Sequence, residues 1–270
     1  MPKELKIVSL NTWKNEGAYP GRLQLMASGL ERLNPDVILA QECFYCEDTE
    51  DSTVAYLADY LDLKYVFAKA RRKLRQHGGR MRYCHSGLAI LSNGVFDDSR
   101  TIPLPSSEIG GERIALSSRL TIGEIAIRIV CVHFSHVRGE EEIRANQIRI
   151  SLKAIEEDEE SDILIIGGDF NCLPDSEELR LGFAGLKFNL VNHLLLDGCI
   201  DPTSPVPPFS HRSGRQIDQI WHVVRGGGLS LQASAGVSMN TPDSEGVYPS
   251  DHAAVWLCLN SAGNQKKKKK

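Results

Sequence analysis

Residues 165–176 read IIGGDFNCLPDS. With Ile163 and Leu164 ahead of them, Ile165 and Ile166 complete an unbroken apolar run. Such a run is expected of a strand in a sheet covered on both faces. It stops on Gly167-Gly168 and delivers Asp169 and Asn171, two residues apart, at its tip. Gly, Asp and Asn all suit turns, so taken alone the stretch is a strand that reverses. Asp175-Ser176-Glu177-Glu178 then has the form of a cap opening a helix.

Similar runs occur at Leu5–Leu10, Asp36–Ala40, Tyr65–Ala68, Gly87–Leu91, Ile125–Phe134, Gln216–Val224 and Ala253–Leu259. Helical stripes lie between them. Leu23, Met26, Leu30 and Leu33 share a face closed by Asn34-Pro35, Val54, Leu57 and Leu61 make a shorter one, and Ile148, Leu152 and Ile155 fall inside the charged segment 139–158. Many strands interleaved with helices predict an α/β fold in which two packed sheets carry helices on the outside. Pro202–Pro208 (PTSPVPP) is too short to divide the chain and is expected to be a surface loop. Residues 1–260 are therefore expected to form one domain, followed by a flexible Lys-rich tail at 261–270.

Of 270 residues, 41% are hydrophobic, enough for a full core, so disorder is excluded as a description of the chain. No apolar run approaches the roughly 20 residues that span a bilayer, and no signal-peptide pattern follows Met1. Seven irregularly spaced cysteines argue against a disulfide framework and for a reducing, cytoplasmic setting. Cys43-Phe-Tyr-Cys46 has no second pair at zinc-ribbon spacing. The net charge of −4 includes the terminal Lys266–Lys270, so the body of the chain is more acidic still. That balance does not suit a protein gripping long duplexes by charge alone. Charge is nonetheless uneven, because Lys69–Arg82 (KARRKLRQHGGRMR) holds no acid. Its Gly78-Gly79 pair predicts either a solvated or a mobile phosphate-gripping loop.

Polar residues recur where apolar strands end. Asn11 follows the first, Glu42 the second and His133 the central one. Asp218 lies inside QIDQIW, and Asp251-His252 precede the last strand. One such ending is a turn, but several suggest strand tips converging on a common site. Asn11, Glu42 and Asp251 offer hard oxygen donors suited to Mg²⁺ or Mn²⁺. The histidines supply acid, base and charge stabilisation near neutral pH. Asp169 is placed to orient or deprotonate a water, and Asn171 to donate an amide hydrogen to a phosphate oxygen. Asp218 would be costly inside a strand unless paired. His85, His136, His211 and His222 are expected to be packing or surface residues, and Cys172 a packing residue.

Asn11 in LNTW, Glu42 in AQE, HSGLAILS (85–92), His133 in VCVHFSH, GGDFN (167–171), Asp218 in QIDQIW and SDH (250–252) together resemble the ordered motifs of the endonuclease/exonuclease/phosphatase superfamily. The resemblance runs from residue 5 to 259. It implies a four-layered α/β sandwich, Mg²⁺ dependence and hydrolysis of a phosphate ester by direct attack of water. It also implies that Glu42, with Asn11 and Asp251 nearby, binds the metal. His252, held by Asp218, would sit over the scissile phosphate; Asp169 would activate water, Asn171 bind phosphate, and His133 stabilise charge or assist the leaving group. Arg113 and Arg119 fall where relatives place a basic substrate-binding residue, and Arg144 with Gln147 resembles a buttress. Gly167 and Gly168 are expected to let backbone and substrate approach closely.

A nucleic-acid phosphodiester is the first expectation for substrate. The basic stretch and HRSGR (211–215) could meet neighbouring phosphates, while Trp13, Tyr83 and Phe209 could stack on bases. Acidity favours short, single-stranded or terminal substrates. The alternatives are a phospholipid phosphodiesterase of the sphingomyelinase kind, an inositol-phosphate phosphatase, or a catalytically silent nucleic-acid-binding module. Oligomeric state is left open.

Overall fold

The structure is a computed structural model that describes residues 4–196, 210–225 and 231–261. PTSPVPP, Phe209 and the terminal lysines lie outside the described residues. The first sheet holds β1 (Glu4–Asn11), β2 (Val37–Cys46), β3 (Lys64–His77), β4 (Arg80–Ser92), β10 (Leu231–Ser238) and β11 (Ala254–Ser261), in the order β10-β11-β1-β2-β4-β3. The second holds β5 (Val95–Leu104), β6 (Arg113–Ile122), β7 (Ile125–His133), β8 (Ile163–Asp169) and β9 (Asp218–Val224), in chain order. Only β1–β2 and β7–β8 pair in parallel, so both sheets are mixed and mostly antiparallel.

The apolar runs are continuous because both faces of each sheet are covered. Ile7, Leu39 and Ile90 from one sheet meet Ile129, Ile165 and Ile220 from the other in a shared core. On the outer face of the first sheet, α1 (Tyr19–Leu33) and α2 (Thr53–Leu61) bury Met26, Leu30, Val54 and Leu57 against Val8, Ile38 and Ala89. On the outer face of the second, α3 (Glu141–Glu156) and α4 (Glu177–Phe183) bury Ile148, Leu152, Ile155 and Leu179 against Val130, Val132, Leu164 and Ile166. The result is the four-layered α/β sandwich. A short α5 (His193–Leu196) precedes β9. No helix among the described residues is long and apolar enough to cross a membrane.

Helix limits follow local chemistry. Pro20 sits in the first turn of α1, which ends at Asn34 in the left-handed region (φ 47°) just before Pro35. Ser52 caps α2 by accepting the Ala55 N–H at 3.2 Å.

Three strands escape the apolar-run criterion. β5 is a largely exposed edge strand (VFDDSRTIPL), β6 buries Ser117 and Ser118, and β10 carries small residues. The basic stretch is also corrected. Residues 69–82 form no loop: β3 and β4 continue as a hairpin paired out to His77–Arg80. Gly78 and Gly79, with φ 57° and 73°, make the two-residue turn that such a hairpin needs. Gly168 has a different purpose from the one expected. A Cβ there would lie 2.0 Å from the Val132 carbonyl oxygen, and its φ is 147°, so the glycine lets β7 and β8 close up rather than admitting a substrate.

Candidate active site

Strand register lines up the polar tips. Parallel pairing sets His133 opposite Asp169, and antiparallel pairing sets Asp169 opposite Asp218, so three adjacent strands of the second sheet end in a row. In the facing sheet Asn11 pairs with Gln41 at the same end, and Asp251-His252 lead into β11. A cleft of about 500 Å³ is lined by Asn11, Glu42, Arg113, His133, Asp169, Asn171, Asp251 and His252. Asp218 is fully buried behind it.

The side chains touch in sequence. Lys14 Nζ lies 2.6 Å from Glu42 Oε2, and Glu42 Oε1 lies 4.0 Å from His133 Nε2. His133 Nε2 is 3.5 Å from Asp169 Oδ2, which is 3.8 Å from His252 Nε2. His252 Nδ1 donates to Asp218 Oδ2 at 2.8 Å. Asn11 Nδ2 donates to Asp169 Oδ2 at 3.1 Å, and the Asn171 N–H donates to Asp169 Oδ1 at 2.9 Å. Asn171 Nδ2 donates to the Phe134 carbonyl at 3.1 Å.

Burial and neighbours set the charges. Burial, and then the Asp218 carboxylate, raise Asp169 far above the usual carboxylate range. Burial alone would lower the His252 imidazole, but Asp218, Asp169 and Asp251 outweigh it and raise the ring to about 10. His133 moves the other way, well below an ordinary histidine, through burial and the positive charges of Arg113 and Lys14. The cleft therefore presents an imidazolium and a neutral imidazole, each within 4 Å of a carboxyl of raised proton affinity.

Backbone irregularities aim these groups. The β2 ladder skips between Ala40 and Cys43, and Glu42 takes φ 53° at this bulge, where it leaves the alternation and turns into the cleft. Trp13 and Lys14 follow Asn11 with φ 54° and 48°. This turn is gripped by Arg22, whose guanidinium donates to the carbonyls of Thr12, Trp13, Lys14, Glu16 and Pro249 at 2.9–3.1 Å. Ser250 Oγ donates to the Asn11 carbonyl at 2.6 Å, tying the Asp251-His252 segment to β1. Arg144 donates to the Ser135 and Val137 carbonyls, and Gln147 accepts the Ser135 N–H at 2.9 Å, so this pair supports the loop leaving His133.

Arg119 is a correction. It does not line the cleft; its Nε donates to Asp97 at 3.1 Å, and it also pairs with Glu160. Arg113 opens β6 and Arg119 lies six residues further on, about 20 Å along the strand, so their kinship in the sequence does not bring both to one place. Arg113 Nη2 meets His136 Nδ1 at 2.8 Å. His136 and His211, expected to be packing or surface residues, both line the cleft, and the His211 ring lies edge-on to His252 at 4.6 Å. His85, bound to Glu47 at 2.6 Å, and the buried His222 lie outside it. Cys43 and Cys46 are free and fall into separate clusters, which leaves no paired zinc ligand there. Lys14 and Arg22 were not anticipated. Lys14 was legible in part, as the only cation within three residues of Asn11.

Among the described residues, two groups of three acidic or histidine side chains lie close enough to share a divalent ion, namely His211, Asp251 and His252, and Asp169, Asp218 and His252. His252 is a poor ligand, since its Nδ1 is committed to Asp218 and the ring holds its proton. Glu42, Asp169 and Asp251 bring carboxylate oxygens, the donor type a hard ion prefers, into the same cleft, beside Asn11, whose Oδ1 accepts the Trp13 N–H at 3.0 Å. Glu42 already draws the Lys14 ammonium to 2.6 Å, the behaviour of a carboxylate suited to a cation.

Comparison with known proteins agrees with the geometry. Among curated proteins nothing matches. Solved structures do. A humanized D. rerio TDP2 superposes with a TM-score of 0.73 at 19% identity, covering 96% of this chain and 100% of that one. D. rerio TDP2 complexed with a single strand DNA product gives 0.70 at 21%, covering 96% and 99%. The human Nocturnin catalytic domain with bound sulfate gives 0.70 at 20%, covering 96% and 94%. The profile of the Endonuclease/Exonuclease/phosphatase family matches residues 8–252, which take in Asn11, Glu42, His133, Asp169, Asn171, Asp218, Asp251 and His252. The chain belongs to the endonuclease/exonuclease/phosphatase family.

Proposed function

We propose that the chain is a divalent-metal-dependent phosphodiesterase that hydrolyses nucleic-acid phosphodiesters by direct attack of water. The observation that carries this assignment is the unbroken row Glu42–His133–Asp169–His252–Asp218 in one cleft. Asp169, with its raised proton affinity, takes the proton of the attacking water. His252, kept charged by Asp218, donates to a phosphate oxygen whose negative charge grows in the transition state. The Asn171 carboxamide adds a second donor, and His133 assists the leaving oxygen. Glu42, Asn11 and Asp251 would hold Mg²⁺ or Mn²⁺, which when bound neutralises charge on the phosphate and leaving oxygens. Cations from Lys14, Arg71, Lys73, Arg75 and Arg113 in the same cleft support a polyanionic substrate. The single strand DNA product bound to D. rerio TDP2, a protein of the same fold, supports nucleic acid over lipid.

Labelled single- and double-stranded oligonucleotides, incubated with Mg²⁺ and with a chelator, test the proposal. Metal-dependent cleavage is expected, with single strands preferred. Asp169→Ala should lower turnover by about 10²- to 10⁴-fold while the protein stays folded. No cleavage, together with choline-phosphate release from sphingomyelin vesicles, would overturn the assignment.

A further inference from the structure

The cations of the β3–β4 hairpin fall into two sets. Arg72 donates to both carboxylate oxygens of Glu47 at 3.0 Å and covers the Tyr83 ring. Arg82 is paired with Asp48 at 2.9 Å and His77 with Asp51 at 2.6 Å. None of these three lines the cleft. Arg71, Lys73 and Arg75 do. Among the described residues Arg71 and Lys73 have no acidic partner, and Arg75 touches only Glu16, at 3.2 Å, with its buried Nε unpartnered. Arg71 crosses to the opposite rim, where a Cβ on Gly111 would come within 2.6 Å of its Nε.

Three like charges kept together with a single acid, Glu16, among them are unfavourable unless a further anion joins them. Burial, Arg71, Arg75 and Lys14 all depress the Lys73 ammonium, as expected of a crowded cationic row. The row is also periodic. Past the bulge between Lys69 and Arg72, Lys73 and Arg75 face the same side at a repeat of about 6.6 Å, while Arg71 projects from the bulge itself. That repeat is close to the distance between successive phosphates of an extended single strand.

We propose that Arg71, Lys73 and Arg75 form a phosphate track that holds successive phosphates of one nucleic-acid strand beside the scissile bond. The track deepens the nucleic-acid assignment above and rests on it. Lys73 and Arg75 lie along one strand and Arg71 reaches over from the bulge, so the track has room for one backbone, and a single strand or a frayed end is its ligand.

Binding of a fluorescent oligothymidylate to the full chain, followed by anisotropy in chelator across a salt series, isolates the track from turnover. Arg71→Gln, Lys73→Gln and Arg75→Gln are each expected to flatten the slope of log affinity against log salt by about 0.7. Arg72→Gln and Arg82→Gln, on neutralised positions of the same hairpin, should leave the slope of the parent protein. No flattening in any of the three, equal flattening in the two controls, or no binding by the parent protein at low salt would overturn the track. Hydrolysis of bis(4-nitrophenyl) phosphate by the parent protein with Mn²⁺ tests the catalytic assignment separately, because that diester has no neighbouring phosphates. A track that fails while this hydrolysis persists leaves the phosphodiesterase assignment standing.

Discussion

Arg22 sits in YPGRL, a stretch that suggests nothing beyond the start of a helix, and yet it is 1% exposed and satisfies five backbone carbonyls. No carboxylate pairs with it among the described residues. Its charge is balanced by peptide dipoles and by the faces of Trp13 (4.8 Å) and Tyr19 (5.9 Å). The carbonyls it holds belong to the turn after Asn11 and the segment before Asp251, so this one side chain fixes two cleft-lining loops against each other. Arg22→Met would leave those carbonyls buried and unpaired, at a cost of about 3–5 kcal/mol. Chemical denaturation should detect that loss. Arg22→Lys, with fewer donors, should recover much of the stability but less of the turnover, with KM for the chromogenic diester nearly unchanged. Equal recovery of both would make Arg22 a purely structural residue.

Strands β7 and β8 lie so close at their tips that Gly168 cannot carry a side chain. Gly168→Ala would force a Cβ to within 2.0 Å of the Val132 carbonyl in a conformation (φ 147°) that alanine avoids. The expected destabilisation is about 3 kcal/mol or more, read as a fall in the denaturation midpoint. A variant as stable as the parent would refute the close-packing role. The apolar half of this motif was legible, because Ile163–Ile166 must be buried on both faces wherever they go. The function of its glycines was not, because a contact with Val132 depends on a neighbour 36 residues away in sequence. The same distinction runs through the other elements. Strands with continuous apolar runs and helices with apolar stripes were found, whereas β5, β6, β10 and the outer half of the β3–β4 hairpin were missed. β5 is mostly exposed, β6 buries serines, β10 carries small residues and the outer half of the hairpin is basic, so none of them shows the apolar run of a strand covered on both faces. The candidate site was legible where polar residues interrupt apolar strands, as at Asp169 and Asp218. It was hidden where loops bring residues in, as with His136 and His211, and where a helix residue such as Arg22 reaches out to hold such loops.

The stacking of two sheets between two helical layers leaves edges that loops must cover, and β9 is such an edge. The segment at residues 191–193 lies over it, with Val191 and His222 exchanging backbone hydrogen bonds at 2.8 and 3.0 Å. His222 is thereby buried with its Nδ1 unpartnered, and the His193 ring lies 5.1 Å away. Burial first, and His193 second, lower its imidazole to about 4. In the unfolded chain the same ring takes its proton near pH 6.5. The folded state therefore enjoys its full advantage above pH 6.5 and loses it as pH falls toward 4, since the unfolded chain binds the proton first. Other groups oppose this: Asp169, with its raised proton affinity, favours the folded state on acidification. The His222 contribution is isolated by comparison with His222→Leu, which keeps the backbone bonds and an apolar contact but cannot titrate. Urea denaturation of both proteins between pH 7 and 4.5 should show the parent losing about 2 kcal/mol more than the variant. A constant difference across that range would mean that His222 is hydrated or protonated in the folded protein, and that this edge of the sandwich is open to solvent.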